Sequence, residues 1–324
     1  MPARRSITVL FAILLAALFG HGTVCAQTWP ARPITIVVSA AAGGGIDSVI
    51  RTISQRLSER LGQPIVVDNR AGASGMLAAR FVTNAPADGY TLLATEGGVM
   101  ALNAALYADP GYDPVRDFAA VSMLIRAPML LVATQGFDVA DLPALVDLSK
   151  KRNVNYGASA KGSYPHLAME LLKSRTGLRA QHIPYKGASP VALAAVAGQV
   201  EIAVIDTIVA MPLVRAGKLK ALAVLTKNRI AIAPEIPTAA EQGVADVEVF
   251  PYVGVVAPRK TPAAVVERLS SEFRAVIQTP EVARQFRDAG MEPMATSPSD
   301  FESYVDAEAR KWHPIIHSLG LRGQ

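Results

Sequence analysis

Residues 34–61 read ITIVVSAAAGGGIDSVIRTISQRLSERL, and the order of residue types in this stretch indicates the fold. The stretch opens with the β-branched run Ile34 to Val38, which is typical of a buried parallel strand. Small residues follow at 40–45. Apolar residues then recur every three or four positions from Ile46 to Leu61, which predicts an amphipathic helix ending at Gly62. A strand, a small-residue turn and a helix in this order begin a parallel β-α-β unit.

The same alternation continues along the chain. Further strands are predicted at 64–68 and 90–95, with a helix at 76–84 between them. A second α/β series starts near Met129, and its strand and helix candidates are 130–133, 142–150, 155–158, 166–175, 180–183, 190–197, 201–205, 211–216 and 221–224. A strand at 253–258 then precedes helices at 263–277, 280–289 and 298–319. We therefore expect an α/β fold of two lobes, with residues 27–124 and 252–324 in lobe 1 and residues 125–251 in lobe 2.

Composition excludes several classes of protein. The chain has 324 residues, of which 51% are hydrophobic and 18% charged, as in a folded globular protein rather than a disordered one. Its 32 basic and 27 acidic residues are spread without a run of Lys or Arg. We therefore expect no nucleic-acid partner.

The first 26 residues have the pattern of a secretory signal. Arg4 and Arg5 precede an uncharged, mostly apolar stretch at 7–19, and Val24-Cys25-Ala26 places small residues before Gln27. This pattern predicts cleavage after Ala26 and export. A lipid-attached Cys25 is the competing interpretation, which Val24 disfavours because it is bulkier than the residue that precedes the cysteine of a lipid-attachment box. Cys25 is the single cysteine, so the predicted mature chain has no disulfide and no thiol chemistry.

The turns after the strands are where ligands bind on open α/β sheets. Gly43-Gly44-Gly45 lies between the first strand and the first helix, where backbone N–H groups and a helix N-terminus can receive an anion, or where the chain simply needs a tight turn. Asp47 is expected to stabilise that helix end electrostatically. The dinucleotide fingerprint fails because Ser48 replaces its third glycine, and no Lys-Ser or Lys-Thr pair completes a phosphate loop.

A hydrolase is the alternative from a different class. Residues 157–161, GASAK, resemble a nucleophile elbow but have Lys161 in place of the second glycine. Ser159 or Ser163 with His166 and Asp206 would form the triad of a secreted esterase, although a Ser/Gly loop capping the next helix explains the same residues. His313 and His317 lack the glutamate of a metalloprotease pattern, so we expect no metal and no cofactor.

Several motifs together resemble one known family. They are Trp29-Pro30, residues 43–47 (GGGID), 67–75 (VDNRAGASG), 88–93 (DGYTLL), 112–114 (YDP), 155–157 (NYG), 166–168 (HLA), 184–187 (PYKG), 216–219 (AGKL) and 237–238 (PT). In this order and spacing they are similar to the Bug family of extracytoplasmic solute receptors, which serve tripartite tricarboxylate transporters. The resemblance covers essentially the whole predicted mature chain.

The resemblance implies a periplasmic-binding-protein fold, also called a Venus flytrap, whose two lobes close over a small organic acid, commonly a carboxylate. It implies a periplasmic receptor that is not an enzyme and that delivers its ligand to membrane permease subunits, and we expect a monomer. His166 is expected to orient the loop before it rather than to touch the ligand. The contact positions that the resemblance implies are Ser39, Gly44, Gly45, Ile46, Asp47, Ala73, Ser74, Thr95, Glu96, Ser159, Gly162, Ser163, Asp206 and Thr207.

Two of these positions depart from the family pattern. Glu96 occupies a position that is commonly Asn, and Ile205-Asp206 replaces a common Asp-Asn pair. If both carboxylates face the cleft, the pocket is more acidic than a plain dicarboxylate favours. The hypothesis is a ligand with a cationic or hydrogen-donating nitrogen beside its carboxylate, such as an amino acid or a nitrogen-heterocyclic acid.

Overall fold

Two separate β-sheets organise the computed structural model, which describes residues 29–323. From Arg32 onward the described chain forms one compact unit. The signal sequence predicted at 1–26 lies outside the described residues. Among the helices that are described, none combines the length and the apolar character needed to cross a membrane.

The strands and helices alternate along the chain much as the periodicity predicts. The strands are β1 (Ile34–Val38), β2 (Ile65–Asn69), β3 (Thr91–Glu96), β4 (Phe118–Arg126), β5 (Met129–Thr134), β6 (Val154–Ala158), β7 (Ala180–Pro184), β8 (Ile202–Asp206), β9 (Leu219–Val224), β10 (Tyr252–Pro258) and β11 (Glu292–Pro293). The helices are α1 (Gly45–Leu61), α2 (Met76–Thr83), α3 (Asn103–Leu106), α4 (Leu142–Lys151), α5 (Tyr164–Thr176), α6 (Ala188–Val196), α7 (Thr207–Arg215), α8 (Ala263–Ile277), α9 (Pro280–Asp288) and α10 (Pro298–Ser318). A π-helical turn at Gly98–Leu102 leads into α3.

Each sheet combines parallel and antiparallel strands. The six-stranded sheet has the order β11-β4-β10-β3-β1-β2, in which β1 pairs in parallel with β2 and β3, and β10 is antiparallel to β3 and β4. The five-stranded sheet has the order β7-β6-β8-β5-β9, in which β6 is parallel to β7 and β8. The parallel core of the first sheet confirms the β-α-β-α-β pattern, whereas β10 and β5 make both sheets mixed.

The elements form where the apolar patterns require burial. In β1, Ile34, Ile36, Val37 and Val38 are fully buried, as expected for a strand with neighbours on both sides. The helix α1 buries its apolar stripe and ends at Gly62, whose left-handed φ of 70° closes the last turn. The helix packs against β2 and β3, the neighbours of β1 in this sheet, and against α8.

The pattern did not reveal strand β4. Its sequence FAAVSMLIR is rich in small residues, which weakens the β-branched signal, yet it lies between β10 and β11 in the sheet. The predicted change of lobe after residue 124 falls near its end, before β5 starts the other sheet at Met129.

The last helix, α10, packs on both cores. Phe301 and Val305 lie in the core of the six-stranded sheet. Trp312 and Ile316 lie in a core built mainly on the five-stranded sheet. Because this single helix packs in both cores, it joins the part of the unit built on the six-stranded sheet to the part built on the five-stranded sheet.

Candidate functional site

Two adjoining cavities lie between the sheets and share the lining residues Glu96, Pro251 and Asp206. The smaller one, here the apolar compartment, has a volume of about 230 Å³. The larger one, here the polar compartment, has a volume of about 490 Å³. Together they form the cleft. A separate cavity of about 600 Å³, lined by Pro128, Arg215 and other residues, is larger than either compartment alone, but none of the predicted contact positions lines it.

The two compartments differ in their walls. The apolar compartment is lined by Ser39, Ala40, Gly45, Ile46, Val49, Glu96, Ile125, Ala127, Asp206, Ile208, Pro251, Tyr252, Val253 and Met291. The polar side chains of the polar compartment are those of Ser74, Glu96, Asn103, Tyr107, Ser159, Lys161, Ser163, Tyr164, Tyr185, Lys186 and Asp206.

Strand ends place these groups. Ser39 follows β1, and Glu96 is the last residue of β3, so the parallel pairing of β1 with β3 brings both to one edge of the six-stranded sheet. Asp206 ends β8 and Ser159 follows β6, which pairs with β8 in parallel. The cleft therefore lies at the carboxyl ends of strands from both sheets, where ligands bind in open α/β folds.

Nine of the fourteen predicted contact positions line the cleft. They are Ser39, Gly45, Ile46, Ser74, Glu96, Ser159, Gly162, Ser163 and Asp206. The other five, Gly44, Asp47, Ala73, Thr95 and Thr207, do not line either compartment.

Asp47 stabilises the glycine turn through hydrogen bonds. Its carboxylate accepts hydrogen bonds from the Gly43 N–H at 2.8 Å and the Asn69 amide at 3.0 Å, and it pairs with Arg51 at 2.8 Å. The hydrogen bond from Arg51 is the main cause that lowers the pKa of Asp47 to about 2. Gly43 has a φ of 78°, a conformation that glycine adopts without strain, so Asp47 and Gly43 together set the entry to α1.

Three of the remaining positions have structural partners of their own. The buried Thr95 hydroxyl lies 2.9 Å from that of Ser39, so it orients a cleft hydroxyl. Thr207 is buried and donates a hydrogen bond of 2.5 Å to the Gly290 carbonyl, which joins α7 to the turn after α9. Gly44 is the N-cap of α1. Ala73 lies in an exposed turn beside the cleft residue Ser74.

Glu96 and Asp206 are the acidic groups of the cleft. Solvent reaches Glu96 through the cleft, but the walls displace much of its surrounding water, and this desolvation raises its pKa. Burial is also the main cause that raises the pKa of Asp206, although its Oδ1 accepts a hydrogen bond of 3.0 Å from Val209 N–H as the N-cap of α7. Within the described chain, neither carboxylate has a Lys, Arg or His nitrogen within 4.0 Å.

The serine loop lacks the geometry of a catalytic triad. Ser159 donates to the Ser163 hydroxyl at 2.8 Å, and His166 Nδ1 accepts a hydrogen bond from Gly162 N–H at 3.2 Å. Burial, followed by the neighbouring His182, lowers the pKa of His166 to about 4. His166 therefore stabilises the loop at 159–163 through Gly162. Among the described contacts, no hydrogen bond joins His166 to either serine.

Sequence reasoning missed other lining residues. Asn103 follows the π-helical turn, and Tyr107 hydrogen-bonds to the Ser74 hydroxyl at 2.8 Å. Tyr185 and Lys186 follow β7, so the rule that ligands bind after strands could have found them. The described residues contain no group of three or more His, Cys, Asp or Glu side chains that could hold a metal ion.

An α/β fold of two lobes with a cleft at the strand ends defines the class of periplasmic solute-binding proteins. The model of the tripartite tricarboxylate transporter family receptor matches residues 49–321, and the chain belongs to this family. The family consists of solute-binding receptors rather than enzymes, which confirms the expectation of a binding protein.

Relatives and solved structures match most of the chain. BugT of Bordetella pertussis is 31% identical over 99% of this chain and 99% of its own. Rpa4515 of R. palustris, solved with adipate, is 36% identical with a TM-score of 0.82 and covers 91% of this chain and 100% of its own. MatC from Rhodopseudomonas palustris, solved with bound malate, is 31% identical with a TM-score of 0.77 over 89% and 100%. These matches confirm the Bug-family resemblance and the two-lobed fold.

Proposed function

We propose that this protein is a periplasmic receptor that captures a small organic acid in the cleft and delivers it to the permease subunits of a tripartite tricarboxylate transporter. One observation carries the proposal: nine positions expected from the family pattern line a cleft built by both sheets. Relatives solved with adipate and malate support a carboxylate as the ligand.

The cleft offers the groups that a carboxylate needs. The N-terminus of α1 reaches the apolar compartment at Gly45 and Ile46, beside the Ser39 hydroxyl. The N-terminus of α5 begins after Ser163 in the polar compartment. Helix N-termini and hydroxyls stabilise an anion without a buried cation, and the nine lining positions are our proposed contacts.

The proposal includes the organisation of the chain. Residues 1–26 are a signal removed after Ala26, residues 27–124 with 252–324 form lobe 1, and residues 125–251 form lobe 2. The sheet memberships support this division, since β1 to β4, β10 and β11 share one sheet and β5 to β9 the other. The mature receptor is a monomer that closes over its ligand.

Native mass spectrometry of the mature protein, purified from the periplasm of an expressing strain, tests this function. We expect the mass of one chain plus one small carboxylic acid, which denaturation releases, and a raised melting temperature with adipate or malate. The proposal would be contradicted if the protein retained no acid and if no carboxylate raised its melting temperature. A panel of esters serves as a control, since turnover through Ser159 or Ser163 would favour a hydrolase.

A pair of tryptophan variants locates the site. Ala160 is exposed and lines the polar compartment, so Ala160→Trp should fill the cleft without disturbing a core. Ala264 is exposed on α8 and lines neither compartment, and Ala264→Trp is the matched control. Only the first change should abolish the ligand-dependent rise in melting temperature.

A further inference from the structure

The cleft is chemically divided, and the two carboxylates lie at the division. Apart from Ser39, the carboxylates and Tyr252, the apolar compartment is lined by apolar side chains and glycine, with no Lys or Arg among its described residues. The polar compartment has hydroxyls and the exposed Lys161 and Lys186, for which no acidic partner lies within 4.0 Å among described residues. A ligand that occupies both compartments must therefore fit apolar side chains in one, the two carboxylates between them, and hydroxyls and lysines in the other.

Of the two carboxylates, Glu96 is the better candidate for a direct contact with the ligand. Its side chain has no hydrogen bond in the described structure, whereas Asp206 uses one oxygen to cap α7. Charged groups in a poorly solvated cleft are costly unless an opposite charge or a hydrogen-bond donor meets them. The protein provides no such group for Glu96, which faces water in the open cleft, so a molecule that displaces this water has to supply a donor or an opposite charge.

The same wall contains a tyrosine whose hydroxyl is unpaired. Tyr252 lines the apolar compartment and is 1% exposed, and its buried hydroxyl has no hydrogen-bond partner within the described chain. Buried hydroxyls are normally paired. Solvent does not reach this hydroxyl, so it lies behind the wall and Tyr252 presents only its ring to the compartment.

We infer that the cleft binds an amino acid with an apolar body, whose ammonium group lies at Glu96 and Asp206, whose apolar body fills the apolar compartment and whose carboxylate enters the polar compartment. The inference rests on the proposed function and names its ligand class. An ammonium group donates charge-assisted hydrogen bonds to both carboxylates, whereas a dicarboxylate would add negative charge beside them. The volume of about 230 Å³ accommodates a small branched side chain.

Three matched pairs of acids test this assignment by isothermal titration calorimetry at neutral pH. Leucine is compared with 2-hydroxy-4-methylpentanoate, aspartate with malate, and 6-aminohexanoate with adipate, so that each pair exchanges an ammonium group for a hydroxyl or a carboxylate. We expect each amine to bind more tightly than its partner, and leucine to bind most tightly of all. A preference for the hydroxy acids and dicarboxylates overturns the inference while leaving the receptor function intact, and binding of no member overturns both.

Variants then assign the nitrogen subsite. Glu96→Gln should weaken leucine by about tenfold or more and leave 2-hydroxy-4-methylpentanoate nearly unchanged, because only the ammonium partner is lost. Asp206→Asn should act in the same direction and keep the α7 cap, since Asn is an equally good N-cap. Glu267→Gln on the exposed face of α8 is the matched control and should change neither affinity. Equal affinity for leucine in the wild-type protein and in both cleft variants would overturn the inference.

Discussion

His166 shows how one buried side chain controls the shape of the cleft. Its ring is 5% exposed, lies 4.5 Å from the His182 ring between centroids, and accepts the Gly162 N–H through Nδ1. That hydrogen bond requires an unprotonated Nδ1, and burial keeps the pKa near 4. The neutral imidazole therefore holds the loop at 159–163 in place.

We predict that this residue makes stability depend on pH. The pKa of His166 is about 4 in the folded protein and 6.5 ordinarily, so the unfolded chain takes up its proton first as the pH falls. The contribution is complete above pH 6.5 and is lost progressively towards pH 4. Urea unfolding of the wild-type protein and His166→Gln across this range should show a steeper loss in the wild type. The exposed His317→Gln is the control, and parallel profiles for all three proteins would refute the prediction.

The helix α10 depends on a single buried carboxylate where it meets the second core. Glu308 Oε2 accepts hydrogen bonds from Trp312 Nε1 at 2.9 Å and from the Tyr164 hydroxyl at 3.1 Å. Tyr164 is the first residue of α5 and lines the polar compartment. Glu308 therefore links the C-terminal helix to the wall of the cleft.

We predict that Glu308→Ala lowers the free energy of unfolding by about 2 to 4 kcal/mol, because it leaves two buried donors without an acceptor. Glu302 lies on the same helix, where its side chain is 52% exposed and pairs with Arg259 at 3.0 Å. Glu302→Ala should cost less than about 1 kcal/mol, as surface ion pairs do. Chemical denaturation of both variants gives the comparison. Equal losses would show that Glu308 has no special role.

Two features of the whole unit bear on closure. The cleft takes walls from both sheets, and the hydrogen bond from Thr207 to Gly290 joins elements that belong to different halves of the proposed lobe division. Contacts from both lobes to one ligand stabilise the arrangement in which the lobes are close. Ligand binding and lobe position are therefore expected to be coupled.

We predict that ligand reduces the radius of gyration in small-angle X-ray scattering. The measurement compares protein stripped of retained acid with protein saturated by whichever of leucine, malate or adipate binds in calorimetry. Ala160→Trp, which blocks the polar compartment, should show no change under the same conditions. An unchanged radius of gyration in the saturated wild-type protein would contradict coupled closure.

Much of the architecture could be predicted from local patterns. The run Ile34–Val38 and the apolar stripe of α1 indicate their elements because the spacing of apolar residues along the chain differs between a strand and a helix. Strand β4 was not predicted because its small residues carry little β signal, and its place inside the sheet depends on pairing with β10, more than a hundred residues away.

The site was predictable only in part. Local sequence and family resemblance indicated positions at the ends of β1, β2, β3, β6 and β8, and nine of these fourteen positions line the cleft. They gave Asp47 as a contact position besides its role at the helix end. They could not show that its oxygens are already bonded to Gly43, Arg51 and Asn69, whereas Glu96 has no partner in the described chain.

Sequence by itself determined the α/β class, the positions of most elements, the glycine turn before α1 and the family. These depend on residue spacing and on motifs that are contiguous in the chain. Only the tertiary structure decided which carboxylates face the cleft, that its walls divide into an apolar and a polar part, and that the Tyr252 hydroxyl lacks a partner in the described chain. The physical reason is that solvation and pairing of a side chain depend on neighbours brought from distant segments, and these neighbours are set by strand order rather than by adjacent residues.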